Sequence, residues 1–440
     1  MDTDIDQIYD FVKYRFKTLA FQSWISEFDI RLLSGPSDEG TLQRLIGQGY
    51  TRAKAMEIAM RQDKNLANSN LLLERMHNDA NPAFRQKVEA MYLWINAFYK
   101  NKDVPFLQKT AKQFIKLNDN YMKAGNGSRY GIALYGLLSE IGAVEDADAV
   151  LNKTISDAER YLVDTAYNSD MYVAKRAKTS LKEILMVGYY IKYQQTKLTD
   201  SARALTYLAK AALYSPLNFD EKSNVISGDR AVFLSCDIRS NASYRKEYIQ
   251  KLFAGGGTEE AMKLFASNIT EDLGSLGEMQ KIYKQYFPDK IFGDFVKDKI
   301  IVNWTDAPAF AAKDVNGKAY KLSDYKGKWL LLDFWGTWWP PCRAEMPEIE
   351  KFNQALSAGK HPGIVMLGMA DDDEKALNRY LKDYKPTLTS VLAEEVAYKY
   401  GINAFPTKCI IAPNGKMIKL TYGVDWVDVV TKLNELYAAN

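Results

Sequence analysis

The sequence is short of the residues that most often announce a site. Only three cysteines, Cys236, Cys342 and Cys409, occur in 440 residues, too few for a disulfide framework. The two histidines, His77 and His361, stand far apart, so no structural zinc site is expected, and each reads as a surface or loop residue. No motif calls for a metal or a cofactor. There are 58 lysines and arginines against 55 acidic residues, and no basic block of the kind that nucleic-acid binding needs. No run approaches the roughly 18 apolar residues of a membrane-spanning helix, so no transmembrane segment is expected. The opening residues, MDTDIDQIYDF, have neither the basic start nor the apolar core of a signal peptide. That leaves two readings, a cytoplasmic protein or a mature chain whose targeting segment has been removed.

What is present is ordinary globular material, 47% apolar and 26% charged. The length allows two or three domains of roughly 150 residues. Residues 1–295 read as an all-helical domain. Val88, Met91, Tyr92, Ile95, Phe98 and Tyr99 step by three and four and form one apolar stripe. Asp103 and Pro105 interrupt it. A second stripe runs through Leu107, Ala111, Phe114, Leu117 and Tyr121 and stops at Gly125-Asn126-Gly127-Ser128. Two such helices joined by a short turn form a helical hairpin, in which each buries the other's stripe.

The pattern recurs. Leu137-Leu138 leads through Gly142 into Ala147 and Val150. Tyr189 to Tyr193 leads into Ala204, Leu208, Ala211 and Pro216. Tyr248 to Phe253 crosses three glycines into Ala261 and Phe265. The run from Ala204 to Pro216 resembles the second helix of a tetratricopeptide repeat. However, Ala147, Ala204 and Ala261 are spaced far wider than the roughly 34 residues of that repeat. The expectation is a degenerate, repeat-like helical array, with or without a peptide-binding groove. The many tyrosines read as packing between helices rather than as a ligand cage. Cys236, in an apolar run, reads as a buried, inert thiol.

The period changes near residue 300, and residues 300–440 read as an α/β domain. Trp329–Trp335 is a short apolar run between polar segments, the mark of a buried central strand. Met346, Ile349, Phe352 and Leu356 follow at helical spacing. Gly363–Gly368 is a second buried strand, and Asp372-Asp373-Glu374 opens another helix. Pro413-Asn414-Gly415-Lys416 is a hairpin turn between two strands, and a last helix runs from about Val427 to Tyr437. This order implies a sheet with helices on both faces.

Several segments of this region resemble the thiol-disulfide oxidoreductases of the TlpA/ResA type in the thioredoxin superfamily. They are Ala307-Pro308-Ala309-Phe310, Leu322 to Lys328, Asp333 to Trp338, Pro340 to Pro347, Tyr400-Gly401-Ile402 and Phe405-Pro406-Thr407, in the family's order. The resemblance implies an extracytoplasmic location and a W-C-P-P-C site at a helix start. There the first cysteine attacks a substrate disulfide and the second resolves the mixed disulfide. This chain reads Trp338-Trp339-Pro340-Pro341-Cys342, so Trp339 stands where the resemblance puts the first cysteine and Cys342 where it puts the second. The resemblance also makes Asp333 the buried acid that exchanges a proton with the second cysteine, and Pro406 the cis-proline facing the site. A structural role for Asp333 is equally open.

A dithiol cycle needs two sulfurs whose Cα atoms lie within about 7 Å. Cys409, three residues beyond Pro406, would be carried roughly 10 Å along a strand and is expected in the core. Arg343 and Glu345 read as a solvated helix face. The expected function is binding of a peptide or protein at Trp338, Trp339, Pro340, Pro341, Phe405, Pro406 and Thr407 without dithiol turnover. Residual oxidoreductase activity through Cys342 and Asp333 is the alternative.

Overall fold

The computed structural model describes residues 5–16, 36–118, 122, 127–163, 172–216 and 243–438. Cys236, Tyr121 and Gly125-Asn126 lie outside the described residues. Among those described, no helix is long and apolar enough to cross a membrane, and no cluster of His, Cys, Asp and Glu could hold a metal. They fall into two compact units, the first ending at Tyr248 and the second running Ile249–Asn440.

The first unit is helical: α1 (Ile5–Arg15), α2 (Glu39–Gly47), α3 (Arg52–His77), α4 (Pro82–Tyr99), α5 (Val104–Ile115), α6 (Gly127–Glu140), α7 (Val144–Leu162), α8 (Tyr172–Thr196) and α9 (Ser201–Tyr214); α10 (Arg245–Ala254) begins in it and continues past Tyr248 into the second. The expected hairpins are α4/α5, α6/α7 and α8/α9. Asp103 caps α5 by accepting the Phe106 N–H at 3.0 Å, which explains the break in the apolar stripe there. Val88, Met91 and Ile95 are buried, whereas Tyr99, the last residue of its helix, is half exposed. Small residues set the close approaches. A Cβ on Gly131 would lie 1.8 Å from Thr154 Oγ1, and one on Gly188 2.7 Å from Ile155.

The tyrosines do pack between helices. Tyr189 donates to Glu159 at 2.5 Å and stacks with Tyr207 and Tyr214, while Lys210 reaches both Tyr189 Oη and Glu159. His77 is not a bare surface residue. It stacks on Tyr92 with centroids 3.7 Å apart and meets Glu89 at 2.8 Å.

The second unit holds α11 (Thr258–Glu271), α12 (Leu276–Tyr286) and α13 (Phe292–Phe295), then an eight-stranded sheet with four further helices. Its strands are β1 (Thr305–Asp306), β2 (Ala311–Lys313), β3 (Ala319–Lys321), β4 (Trp329–Trp335), β5 (Ile364–Ala370), β6 (Ser390–Leu392), β7 (Thr407–Ile411) and β8 (Lys416–Lys419). Its helices are α14 (Pro340–Ser357), α15 (Glu374–Tyr384), α16 (Glu394–Lys399) and α17 (Trp426–Ala438). Helix gives way to strand at the expected place, but the compact unit begins earlier than residue 300. The cause is packing. Gly293 of α13 lies against the Leu436 carbonyl of α17, Trp329 meets both Trp304 and Tyr437, and Lys297 sits over the Tyr437 ring. The helices before the sheet therefore share a core with its last helix.

The strand order is β1-β8-β7-β4-β5-β6-β2-β3. β4 pairs in parallel with β5 and antiparallel with β7, so every residue of β4 is buried, as its unbroken apolar run requires. Side chains alternate across β4 and β7. Leu330, Leu332, Phe334 and Cys409 pack in one core cluster with Tyr400, and Asp333 and Lys408, between them in sequence, point to the other face. That other face carries α14 and α17, joined by an edge-on contact of Phe352 and Trp426.

Candidate functional site

The site is built where β4 ends and α14 begins. Gly336 leaves room that any side chain would fill, since a Cβ there would lie 2.5 Å from Trp338 Nε1. The Trp338 indole folds back and donates to the Asp371 carbonyl at 2.9 Å. Beside it, the Thr337 N–H and hydroxyl both donate to the Asp372 carboxylate, at 2.9 and 2.5 Å. Trp339, in extended conformation, is the N-cap residue of α14, and Pro340 and Pro341 follow at the helix start, where a missing N–H costs nothing.

These residues form an aromatic surface. Trp338 is 55% exposed and Trp339 41%, and both prolines are exposed. The Trp338 ring lies 5.9 Å from Trp339 and 5.9 Å, edge-on, from Phe405. The Phe405–Pro406 peptide bond is cis. Pro406 and Thr407 are half-buried at the start of β7, and Thr407 Oγ1 donates to the Ala404 carbonyl at 2.7 Å. The structure thus brings together all seven residues expected to bind.

Beneath this surface lie the two residues expected to act chemically. Cys342, in the first turn of α14, is 1% exposed. Burial pushes its thiol up from 9.0 to about 11, aided by the Asp333 and Glu345 carboxylates and opposed by a Gly336 hydrogen bond and Lys408. A helix N-terminus ordinarily lowers a thiol pKa, so here desolvation wins. Because the folded-state value lies above 9.0, the protonated thiol's contribution to stability is complete below pH 9.0 and is lost as the pH rises through about 11. In the folded protein, Cys342 should resist iodoacetamide at neutral pH and react only as the pH approaches that range. Full labelling of native protein at neutral pH, read by mass, would contradict this burial.

Cys409 is free, wholly buried and pushed up to about 12, again by burial. It faces the Phe334–Tyr400 side of the sheet, away from the face carrying α14. Strand alternation, as well as distance along the strand, separates it from Cys342.

Asp333 has no exposed surface. Directly opposite it in the β4–β7 register stands Lys408, whose ammonium lies 3.1 Å from Asp333 Oδ1 and 2.7 Å from Glu345 Oε2. Lys408 also sits 5.4 Å over the Trp426 ring. The expectation of a solvated Glu345 is corrected: it is half-buried and closes an ion-paired triad on the buried Asp333 and Lys408, because α14 runs across the strand that carries Lys408. Arg343 remains exposed. Burial raises the Asp333 carboxyl, with Lys408 pulling against it, while the two carboxylates outweigh burial at Lys408 and raise the ammonium. Sequence reasoning missed Lys408. Its one signal was a charge inside the apolar strand Thr407–Ile411.

A model of the AhpC/TSA family matches residues 305–420. The chain is 34% identical over 132 residues to the thiol-disulfide oxidoreductase ResA of Bacillus subtilis, a match spanning 29% of this chain and 72% of that protein. The chain belongs to the thioredoxin-like thiol-disulfide oxidoreductases. The ResA of Geobacillus thermodenitrificans is 31% identical over 137 residues, covering 30% of this chain and 77% of the relative. Among solved structures, the thioredoxin domain of a thiol-disulfide oxidoreductase from Bacteroides vulgatus matches with 30% identity and a TM-score of 0.26, covering 29% of this chain and 94% of that one. The family match at residues 305–420 falls on the strands and helices of the sheet, and the curated relatives match about 30% of the chain.

Proposed function

We propose that this chain is a thioredoxin-like protein that binds an extended peptide or protein segment at the Trp338–Trp339–Phe405 surface without turning over disulfides. The observation that carries the reading is the exchange of roles at the start of α14. The exposed position, where an attacking sulfur would stand, is Trp339, and the sulfur that remains, Cys342, is buried beneath it. Exposed tryptophans beside a half-buried Phe405-Pro406-Thr407 loop offer an anchor of the kind that dominates binding energies. The helical first unit would supply a second surface. An extracytoplasmic location follows from the family resemblance and is checked by cell fractionation.

The test is insulin reduction with dithiothreitol. The unaltered protein should add nothing to the uncatalysed rate, and Trp339→Cys should form an intramolecular disulfide. Turnover by the unaltered protein that vanishes in Cys342→Ser would replace this reading with the second one, a residual oxidoreductase acting through Cys342. In parallel, calorimetry with reduced insulin B chain should show binding that weakens about 30-fold in Trp338→Ala/Trp339→Ala, the loss expected for an anchor worth about 2 kcal/mol.

A further inference from the structure

Strands β4, β5 and β6 run parallel, so their carboxyl ends emerge along one edge of the sheet. The loops that leave parallel strands gather at such an edge, which is where α/β sheets ordinarily take their ligands. Two main-chain bonds tie the loops together here. The Asp371 N–H donates to the Trp335 carbonyl at 2.8 Å, and the Ala393 N–H donates to the Ala370 carbonyl at 2.9 Å. Asp371 and Asp372 thus come beside the Trp338 loop, one accepting from the indole through its carbonyl and the other from Thr337 through its carboxylate. Glu394, exposed at the start of α16, follows Ala393 directly, and its charge reaches Asp371.

Among the described residues, every side-chain charge that acts on these two aspartates is negative. Burial, then Glu394 and Asp372, push the Asp371 carboxyl up. At Asp372 burial outweighs the Thr337 bonds, and Asp373 adds to the rise. Arg343, the exposed cation in the first turn of α14, acts on Tyr380 and on neither aspartate. The exposed indoles are therefore bordered by carboxylates that no cation balances. Thr337 engages Asp372, which leaves Asp371 and Glu394 as acceptors for a partner.

We propose that the segment docking on the Trp338–Trp339–Phe405 surface is basic and is read through arginine, its guanidinium laid on an exposed indole and its N–H groups turned to the Asp371 and Glu394 carboxylates. The inference rests on the binding reading above and adds the partner's chemical class. Apolar contact alone would accept any chain with bulky side chains. Two features here select a cation. Of the side-chain rings, an indole face attracts a cation most strongly. The carboxylates beside it attract basic partners and repel acidic or phosphate-bearing ones. Arginine suits the site better than lysine. A planar guanidinium can stack on a ring and still present donors at its edge, whereas an ammonium is a strongly hydrated point charge.

Calorimetry on the full chain at low salt tests this with capped peptides of one apolar sequence that differ only in carrying arginine, its neutral isostere citrulline, or glutamate. The arginine peptide should bind about tenfold tighter than the citrulline peptide, the combined yield of one exposed cation–π contact and one rim ion pair, and the glutamate peptide should bind weakest. Raised salt should shrink the arginine advantage, and Asp371→Asn/Glu394→Gln should erase it. An advantage that survives this double change would overturn the assignment to these carboxylates. The peptide comparison needs no variant, so it decides the matter even if the double change does not fold. Equal affinities for the arginine and citrulline peptides, both lost in Trp338→Ala/Trp339→Ala, would overturn the basic partner and leave the binding reading standing. Failure of every peptide to bind would overturn both.

Discussion

Lys408→Met should lower the unfolding free energy by about 3–5 kcal/mol, the usual cost of leaving one member of a buried ion pair alone. Asp333 is the reason. It has no exposed surface and, among the described residues, no charge partner but Lys408 within ion-pair distance, whereas Glu345, with 31% of its side chain exposed, can turn to water. The loss has a definite pH dependence. The folded-state carboxyl is raised above 3.8 by burial, and without Lys408 nothing opposes that rise. The variant is therefore least affected in acid, where the carboxyl is neutral in both states. It weakens as the pH climbs above the unfolded value towards the folded one. Pairing the change with Asp333→Leu should recover most of the stability, because an apolar pair of similar volume often replaces a buried ion pair without loss. Guanidinium unfolding at acid and neutral pH measures all of this. A single variant within about 1 kcal/mol of the parent would mean that the ion pair holds little of the fold together.

The second large effect belongs to Gly293. A Cβ there would meet the Leu436 carbonyl oxygen at 2.2 Å, and a backbone atom cannot swing aside as a side chain can. Gly293→Ala must push α13 off α17. The expected cost is about 2–3 kcal/mol for the overpacking, or a fall of roughly 5–10 °C in the melting of the sheet-containing unit. An alanine variant that melts with the parent would show that α13 does not need its close seat on the last helix.

The sheet domain was legible because its signals are local. Trp329–Trp335 has the length and apolar continuity of a strand buried on both faces, and Pro413-Asn414-Gly415-Lys416 turns the last hairpin, with Ala412 and Lys416 bonded across it at 2.8 Å. The seven surface residues were legible by resemblance, and the fold gathers them. The Asp333–Lys408–Glu345 triad was not legible. Its members lie on two strands and a helix, and only the antiparallel register sets Lys408 opposite Asp333. A lysine in an apolar strand reads as an edge residue, and a glutamate in an exposed-looking helix turn reads as solvent-facing, until each is seen to be the other's partner. The extent of the second unit was hidden for a similar reason. Helices α11 to α13 look like more of the preceding array, and the packing of α13 and the residues after it on α17 comes from the far end of the chain.

The two indoles at the start of α14 have one more consequence. Trp94, Trp304, Trp329, Trp335 and Trp426 are all buried, so Trp338 and Trp339 are the described tryptophans that meet water. Their emission should lie at the red edge and be open to collisional quenchers such as iodide, while that of the other five described tryptophans should be shielded. The chain therefore carries its own optical reporter at the surface in question. Occupancy there can be followed without a label, by the indoles that would make the contact.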